Sequence, residues 1–309
     1  MSHAAPPGLT AAAATAVSGV QPRPESVQGD IVVLMVFKQP EHVDWLLRWL
    51  VAQGAFVVLH VDKKVQPAFT AHLARWQVMR GVHVLQNTVK VNWAGFSQVE
   101  ATLRCVTWAL NHLPNFARLH LMSGECHPLR PLCDIAARMN QLAPAGEADL
   151  IECRSWPGAA WRINRYNILG ESPHNREHWH NLAFRWFRDL QGRLRVPVRS
   201  DFAPEDIVFG GQWWSMHRSS LVLMLAQPDL PAFCRKFRWT RCSDEHFFQI
   251  RHRATGLAAA GSQRFVQVPD GVASPRYLPL DELQQLHDQG FLFARKVTPE
   301  VAQTYWRER

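Results

Sequence analysis

Two adjacent carboxylates, Asp244 and Glu245, stand in Ser243-Asp244-Glu245-His246-Phe247-Phe248, where an apolar helical pattern begins. A carboxylate there can remove a proton from an incoming hydroxyl, or it can simply suit the positive end of a helix. Lys296 closes the apolar run Phe291-Leu292-Phe293-Ala294-Arg295-Lys296, and an ammonium drawn into such surroundings needs an anionic partner. Asp62 follows the apolar run Phe56–Val61, the place where a buried strand exposes polar groups to a ligand. Trp213 and Trp214, in Gly210-Gly211-Gln212-Trp213-Trp214, can stack on a sugar or fill the core. Trp93 precedes Ala94-Gly95 and anchors a tight turn. His174, His178 and His180 have a spacing that can hold a metal, or they stand in solvent. Motifs that announce other chemistries are missing: no G-x-G-x-x-G, G-x-x-x-x-G-K-[ST], G-x-S-x-G or H-E-x-x-H. There is also no Asp-x-Asp pair to hold a divalent ion against a diphosphate.

The elements that carry these residues follow from hydrophobic periodicity. Ile31–Phe37 is a continuous β-branched and apolar run, as for a strand buried on both faces. Pro40 opens a helix with Val43, Leu46, Leu47 and Leu50 on one face, Gly54 ends it, and Phe56–Val61 is a second buried strand. That order implies a right-handed parallel crossover. A helix bearing Leu73 and Trp76, a strand at Val82–Leu85, a helix opened by the capping box Ser97-Gln98-Val99-Glu100, and a strand at Leu119–Met122 extend the pattern. A helix from Pro131 and a strand at Asp149–Glu152 complete a doubly wound α/β layer. From Ser155 to Pro204 the regularity fails in a stretch crowded with Trp, Arg, His and Asn. Helices from Ser219 and Ser243, a strand near Phe265 and a final helix from Asp281 follow. Residues 1–29, rich in Ala, Pro, Ser and Gly, read as a disordered lead-in to one domain over 30–309.

Composition bounds the partners. The net charge of +8 favours something anionic, but Arg and Lys are scattered, and no zinc-finger spacing, basic heptad or RNA-binding signature supports nucleic acid. A phosphorylated small molecule fits, and peripheral association with the inner face of a membrane stays open. No run reaches the ~18 apolar residues of a membrane span, and the N-terminus lacks the pattern of a signal peptide. Six cysteines without a C-x-x-C read as reduced thiols in the cytoplasm.

Six segments taken in order carry more than any one of them. They are His60–Lys64, Trp93–Ser97, Leu121-Met122-Ser123-Gly124-Glu125-Cys126-His127-Pro128-Leu129, Gly210–Trp214 with Arg218, Ser243–Phe248, and Phe291–Lys296. Their order and spacing closely resemble the core-2/I-branching enzymes, glycosyltransferase family 14, which includes β-1,6-N-acetylglucosaminyltransferases and protein O-xylosyltransferases. The resemblance implies a GT-A-like fold with a doubly wound, mostly parallel sheet flanked by helices. It also implies a UDP-sugar donor (GlcNAc or xylose), a glycan or peptide acceptor, and an inverting mechanism that uses neither metal nor cofactor. By the same resemblance Glu245 is the catalytic base. Arg276, in Ser274-Pro275-Arg276-Tyr277, and Lys296 meet the donor diphosphate. From their own positions, Asp62, Trp93 and Gly124 are expected on the donor side and Trp213, Trp214 and Glu125 at the acceptor. The sequence departs from the pattern at Ala94, where the family has glycine, and at Glu125 and His127, where it has Asp and an aromatic residue. The N-terminal anchor and stem of animal members are not seen.

The implied chemistry is self-consistent. An inverting transfer needs one carboxylate to deprotonate the attacking alcohol. A nucleoside diphosphate leaves well without a second acid of the kind hydrolases use. Fixed cations can carry the charge that grows on it. A non-catalytic carbohydrate- or nucleotide-binding protein on the same scaffold is the alternative, and it would show no turnover with or without Glu245.

Overall fold

The computed structural model describes residues 27–196, 202, 204–272 and 274–309. Most of the lead-in expected to be disordered, residues 1–26, lies outside them. Strand β1 (Asp30–Val36), helix α1 (Pro40–Ala52), β2 (Phe56–Val61), α2 (Thr70–Gln77), β3 (Val82–Val84), α3 (Ser97–His112) and β4 (Arg118–Ser123) follow one another as the hydrophobic pattern predicts. Next come β5 (Cys126–Pro128), α4 (Leu132–Leu142), β6 (Ala148–Asp149), β7 (Arg154–Ser155), α5 (Trp161–Asn164) and α6 (His178–Arg193). The chain continues through β8 (Val208–Phe209), β9 (Ser215–His217), α7 (Arg218–Leu225), α8 (Leu230–Phe237), α9 (Phe247–Arg253) and β10 (Ala258–Ala259). It ends with β11 (Arg264–Val266), α10 (Leu280–Asp288), β12 (Phe293–Arg295) and α11 (Pro299–Arg307).

The main sheet has five strands in the order β3-β2-β1-β4-β9, with β9 alone antiparallel, which is a GT-A-like α/β arrangement. The apolar run of β1 divides by its period of two. Ile31, Val33 and Met35 join a core with Val99, Cys105, Val106 and Ala109 of α3, while Val32, Leu34 and Val36 face Val43, Leu46, Leu47 and Leu50 of α1. Both faces are covered, so nothing in the strand needs to be polar. The order reverses between β1 and β4, whose carboxyl ends open the crevice where doubly wound sheets take ligands.

A second sheet, β11-β12-β5, pairs Arg295 with Cys126 in antiparallel register. That pairing carries the C-terminal end of β12 to the carboxyl end of β4.

Four expectations change. The strand expected at Asp149–Glu152 is only β6, paired with β10, plus a single bridge from Leu150 to Ser215, so it does not extend the parallel layer. The capping box at Ser97 does not form. Ser97 Oγ instead accepts from the Asn92 amide at 2.8 Å, Glu100 pairs with Arg104, and the Ser97 amide donates to Glu171 Oε1 at 2.8 Å. The helix expected from Ser243 begins as a short 3-10 turn, Ser243–Glu245, before α9. The helix near Asp281 is not the last, since α11 follows and packs Ala302 and Tyr305 against Leu129 and Leu278.

Candidate active site

Lys38 lies two residues beyond β1, and Ser123, Gly124 and Glu125 lie at and beyond the end of β4, so the reversal point of the sheet is lined by Val36–Gln39 and Ser123–Glu125. Glu125 is 4% exposed and is the hub of this crevice. Its Oε1 accepts from Lys38 Nζ at 2.8 Å and from the Tyr277 hydroxyl at 2.6 Å. Its Oε2 lies 3.8 Å from both Arg295 and Lys296. Burial alone would raise the Glu125 pKa, but Lys38, Tyr277, Arg295 and Lys296 together hold it below the usual glutamate value. Burial likewise opposes the charge on Lys38, yet Glu125 and Tyr277 raise its pKa. Lys296 differs: burial, with Arg295, Lys38 and Arg176 nearby, outweighs Glu125 and lowers its pKa. Three cations facing one carboxylate leave this crevice with two positive charges in excess, which suits an anionic ligand.

The carboxylates form a second station. Cys242, at φ 51, turns the chain into Ser243–Glu245. This turn packs on the Trp93–Gly95 turn, where the Cys242 amide donates to the Ala94 carbonyl at 2.9 Å and Ser243 Oγ donates to the Gly95 carbonyl at 3.3 Å. The two carboxylates differ in environment. Asp244 is buried, and Gln98 Nε2 donates to its Oδ2 at 3.3 Å. Burial and then the Glu245 charge push its pKa well above the usual aspartate value, to about 8. Glu245 keeps 32% of its side chain exposed, and Arg162 Nη1 donates to its Oε2 at 2.5 Å. Burial raises the Glu245 pKa and Arg162 works against that rise. Of the pair, Glu245 alone is accessible. The Arg162 guanidinium lies 5.2 Å from the Trp156 ring and 5.4 Å from the Phe209 ring, which fixes its direction.

One short strip joins the two stations. The Gly210 amide donates to the Glu245 carbonyl at 3.0 Å, the Gly211 amide to Glu152 Oε2 at 3.1 Å, and Gln98 Nε2 to Gln212 Oε1 at 3.3 Å. The next residue, Trp213, places its ring 4.8 Å from the Arg295 guanidinium. Three residue steps span about 11 Å at most between Cα atoms, so the backbone that holds the Glu245 carbonyl lies near the contact between Trp213 and Arg295. A cavity of about 510 Å³ lies farther along, lined by Trp161, Arg165, Arg188, Asp189, Gly192 and Arg193. The Trp161 ring is 5.9 Å from the Arg162 guanidinium, so that one side chain stands between this cavity and Glu245.

The other residues singled out from sequence divide by position. Asp62 is buried; its Oδ1 accepts from the Lys64 amide at 2.9 Å and the Val91 amide at 3.3 Å, so its carboxylate closes the turn after β2. Trp93 carries Arg176 and Arg241 against its ring, and Arg176 in turn acts on Lys296. Gly124 packs on Val36 and Val43 beside the crevice. Arg276 is brought to Lys296 by backbone only, since the Lys296 amide donates to its carbonyl at 3.3 Å. Its guanidinium pairs instead with Glu282 and Gln267, both at 2.5 Å. Trp214 is fully buried against Phe248, so its ring is core and meets no acceptor; of the pair only Trp213 borders the cleft. Glu125, expected on the acceptor side, lies 3.8 Å from Lys296, expected on the donor side. His174 contacts Glu177, and His180 is buried; among the described residues no group of three His, Cys, Asp or Glu is arranged to hold a metal.

Sequence reasoning missed Lys38, Arg162 and Tyr277 as members of the site. Lys38 was within reach, because the argument that singled out Asp62 applies equally to the polar residue after β1. Arg162 had no local signal, lying 83 positions from Glu245.

A family model described as Core-2/I-Branching enzyme matches residues 34–257, well over half of the chain. The chain belongs to the core-2/I-branching enzyme family. It is therefore a glycosyltransferase, which takes a sugar from a donor and gives it to an acceptor. The matched span holds Lys38, Glu125, Arg162, Gly210 and Glu245, whereas Arg276, Tyr277, Arg295 and Lys296 come from beyond it. Comparison with curated proteins finds no match. No helix among the described residues is long and apolar enough to cross a membrane.

Proposed function

We propose that this glycosyltransferase is inverting and metal-independent, and that it moves GlcNAc or xylose from a UDP-sugar to a hydroxyl of a glycan or peptide. The observation that supports this reading is the crevice at the sheet reversal, where Lys38, Arg295 and Lys296 face the buried carboxylate of Glu125, with a partly exposed Glu245 held by the adjoining Gly210–Trp213 strip. The diphosphate lies against those cations, with the nucleotide over the strand ends near Asp62 and Trp93. The acceptor hydroxyl approaches the anomeric carbon from the Glu245 side. As its oxygen forms the new C–O bond, the bond to the diphosphate breaks, and its electron pair goes to the departing UDP. Glu245 takes the hydroxyl proton. Because attack and departure are in line, the anomeric centre inverts. Preorganised ammonium and guanidinium groups stabilise the charge developing on UDP. Arg276 joins them if its pairing with Glu282 opens when donor binds. The Arg-lined cavity beside Trp161 receives more distant parts of the acceptor. Six free cysteines favour a cytoplasmic location.

The test is a panel of UDP-sugars with purified protein, with and without EDTA. Turnover of UDP-GlcNAc or UDP-xylose that survives chelation, and that Glu245→Gln reduces by about 10² to 10⁴ while UDP still binds, is the expected result. Turnover lost to chelator would refute the metal-free mechanism, and an undiminished Glu245→Gln variant would refute the assigned base.

A further inference from the structure

Helix α6 presents to solvent a face unlike a solvated surface. Trp179, Leu182 and Trp186 are 56%, 50% and 66% exposed. Spaced three and four residues apart, they lie on one side of the helix, and half-buried Leu190 continues the line. The side that packs inward is a different one, carrying His180, Phe184 and Gln191. Lone exposed apolar residues are ordinary; a row with two tryptophans marks an interaction surface.

The surrounding charge says what kind of surface it meets. Residues 161–196 contain seven arginines and three acidic residues, a net +4, which is half of the chain's +8 in little more than a tenth of its length. Arg185 and Arg193 are exposed on α6 beside the apolar row. Arg193, Arg165 and Arg188 also line the neighbouring cavity. The local acids are engaged: Asp189 pairs with Arg188 at 2.8 Å, and Glu177 holds His174 and the Trp179 indole. Indole rings bordered by guanidinium groups match a lipid headgroup layer, where the rings sit at the boundary with the acyl chains and the guanidinium groups reach phosphates.

We propose that the outer face of α6 docks the protein on an anionic lipid surface, with Trp179, Leu182 and Trp186 entering the headgroup boundary and Arg185 and Arg193 pairing with lipid phosphates. The inference does not depend on which sugar is transferred.

The experiment is sedimentation of the full chain with vesicles of phosphatidylcholine alone and of phosphatidylcholine with one third phosphatidylglycerol. Expected are binding to the anionic vesicles only, a blue shift of tryptophan emission, and loss of binding as salt rises. The double variant Trp179→Ala/Trp186→Ala should partition at least about tenfold less. Arg185→Glu should bind several-fold less at low salt and converge with the parent at high salt. Both variants change exposed residues, and an unchanged thermal melt checks that they are folded. Three outcomes would each overturn the proposal: no binding to anionic vesicles, equal binding to neutral ones, or binding indifferent to the tryptophans. So would a parent chain that forms a dimer abolished by the same double substitution, because a second copy would then cover the row. UDP-sugar turnover, measured without vesicles, separates any of these outcomes from failure of the assigned chemistry.

Discussion

Replacing Glu125 by Gln tests whether that carboxylate organises the cation crevice. Glu125 is nearly fully buried, with close contacts to Lys38 and Tyr277 and longer ones to Arg295 and Lys296. Removing one member of a buried ion pair typically costs about 3–5 kcal/mol, because the partner charge is stranded. Lys38 keeps 35% of its side chain in water, and glutamine can still accept from Tyr277, so the loss here should be about 2–3 kcal/mol. For a chain of this size that lowers the melting temperature by about 4–9 °C at pH 7. The sign with pH follows from the lowered pKa of Glu125. The stabilisation is present above the unfolded glutamate pKa of ~4.3 and is lost as pH falls through the lower folded value. Calorimetric or fluorescence melts of parent and variant between pH 3 and 8 should therefore diverge at neutral pH and converge at the acid end. Under the proposed function, UDP should still raise the melting temperature of the variant, its anionic diphosphate meeting the same stranded cations. A variant as stable as the parent at pH 7, or a gap unchanged at pH 3, would refute the role given to Glu125.

Other substitutions probe the carboxylate station and its supports. Ala94 holds φ 61, so Ala94→Gly should stabilise the protein by about 1 kcal/mol, seen as a higher melting temperature. Asp244, with its pKa pushed to about 8, favours folding fully below the unfolded aspartate value and loses that contribution as pH rises through 8. Asp244→Asn should therefore match the parent near pH 3 and gain on it progressively towards pH 8 in thermal melts. Glu171→Ala removes the acceptor of the Ser97 amide and should cost about 1 kcal/mol of stability by denaturant titration. A Cβ at Gly210 would lie 1.9 Å from the Glu152 carbonyl oxygen, so Gly210→Ala must move the strip that carries the Glu245 turn. It should lower kcat by at least about tenfold while leaving UDP affinity within about threefold.

How much could be read in advance depended on how local each signal was. The runs of β1, β2 and β4 and the apolar face of α1 were legible because buried strands and amphipathic helices write their environment into consecutive residues. Helix α6 was not, since three of its large apolar side chains point to solvent and blur the very period that would reveal it. The capping box failed for a related reason. Glu171, 74 positions away, took the Ser97 amide that a local motif would have left to the helix's own side chains. Glu245 and Lys296 stood out by their surroundings, but the Lys38–Glu125–Tyr277 contact joins three separate elements over as many as 239 positions and exists only once the sheet order is known.

That difference in locality bears on how the site divides its labour. The cations and the Glu125 carboxylate they surround rest on rigid supports: Lys38 follows β1, Glu125 follows β4, and Arg295 ends a strand in register with Cys126. Their geometry is set by the sheet and leaves little room to vary without loss of the core. The carboxylate's surroundings have the opposite character. Arg162, Trp156 and Trp161 come from the irregular stretch after β7, and Phe209 and Gly210 come from its return. A segment of that kind can change length and side chains while β1 to β4 stay fixed. Under the proposed function, the donor side is held by the fold itself, and the choice of acceptor falls to the stretch between Ser155 and Pro204. Exchanging that stretch with the equivalent segment of another family member should accordingly change which hydroxyl is glycosylated before it changes which nucleotide is bound.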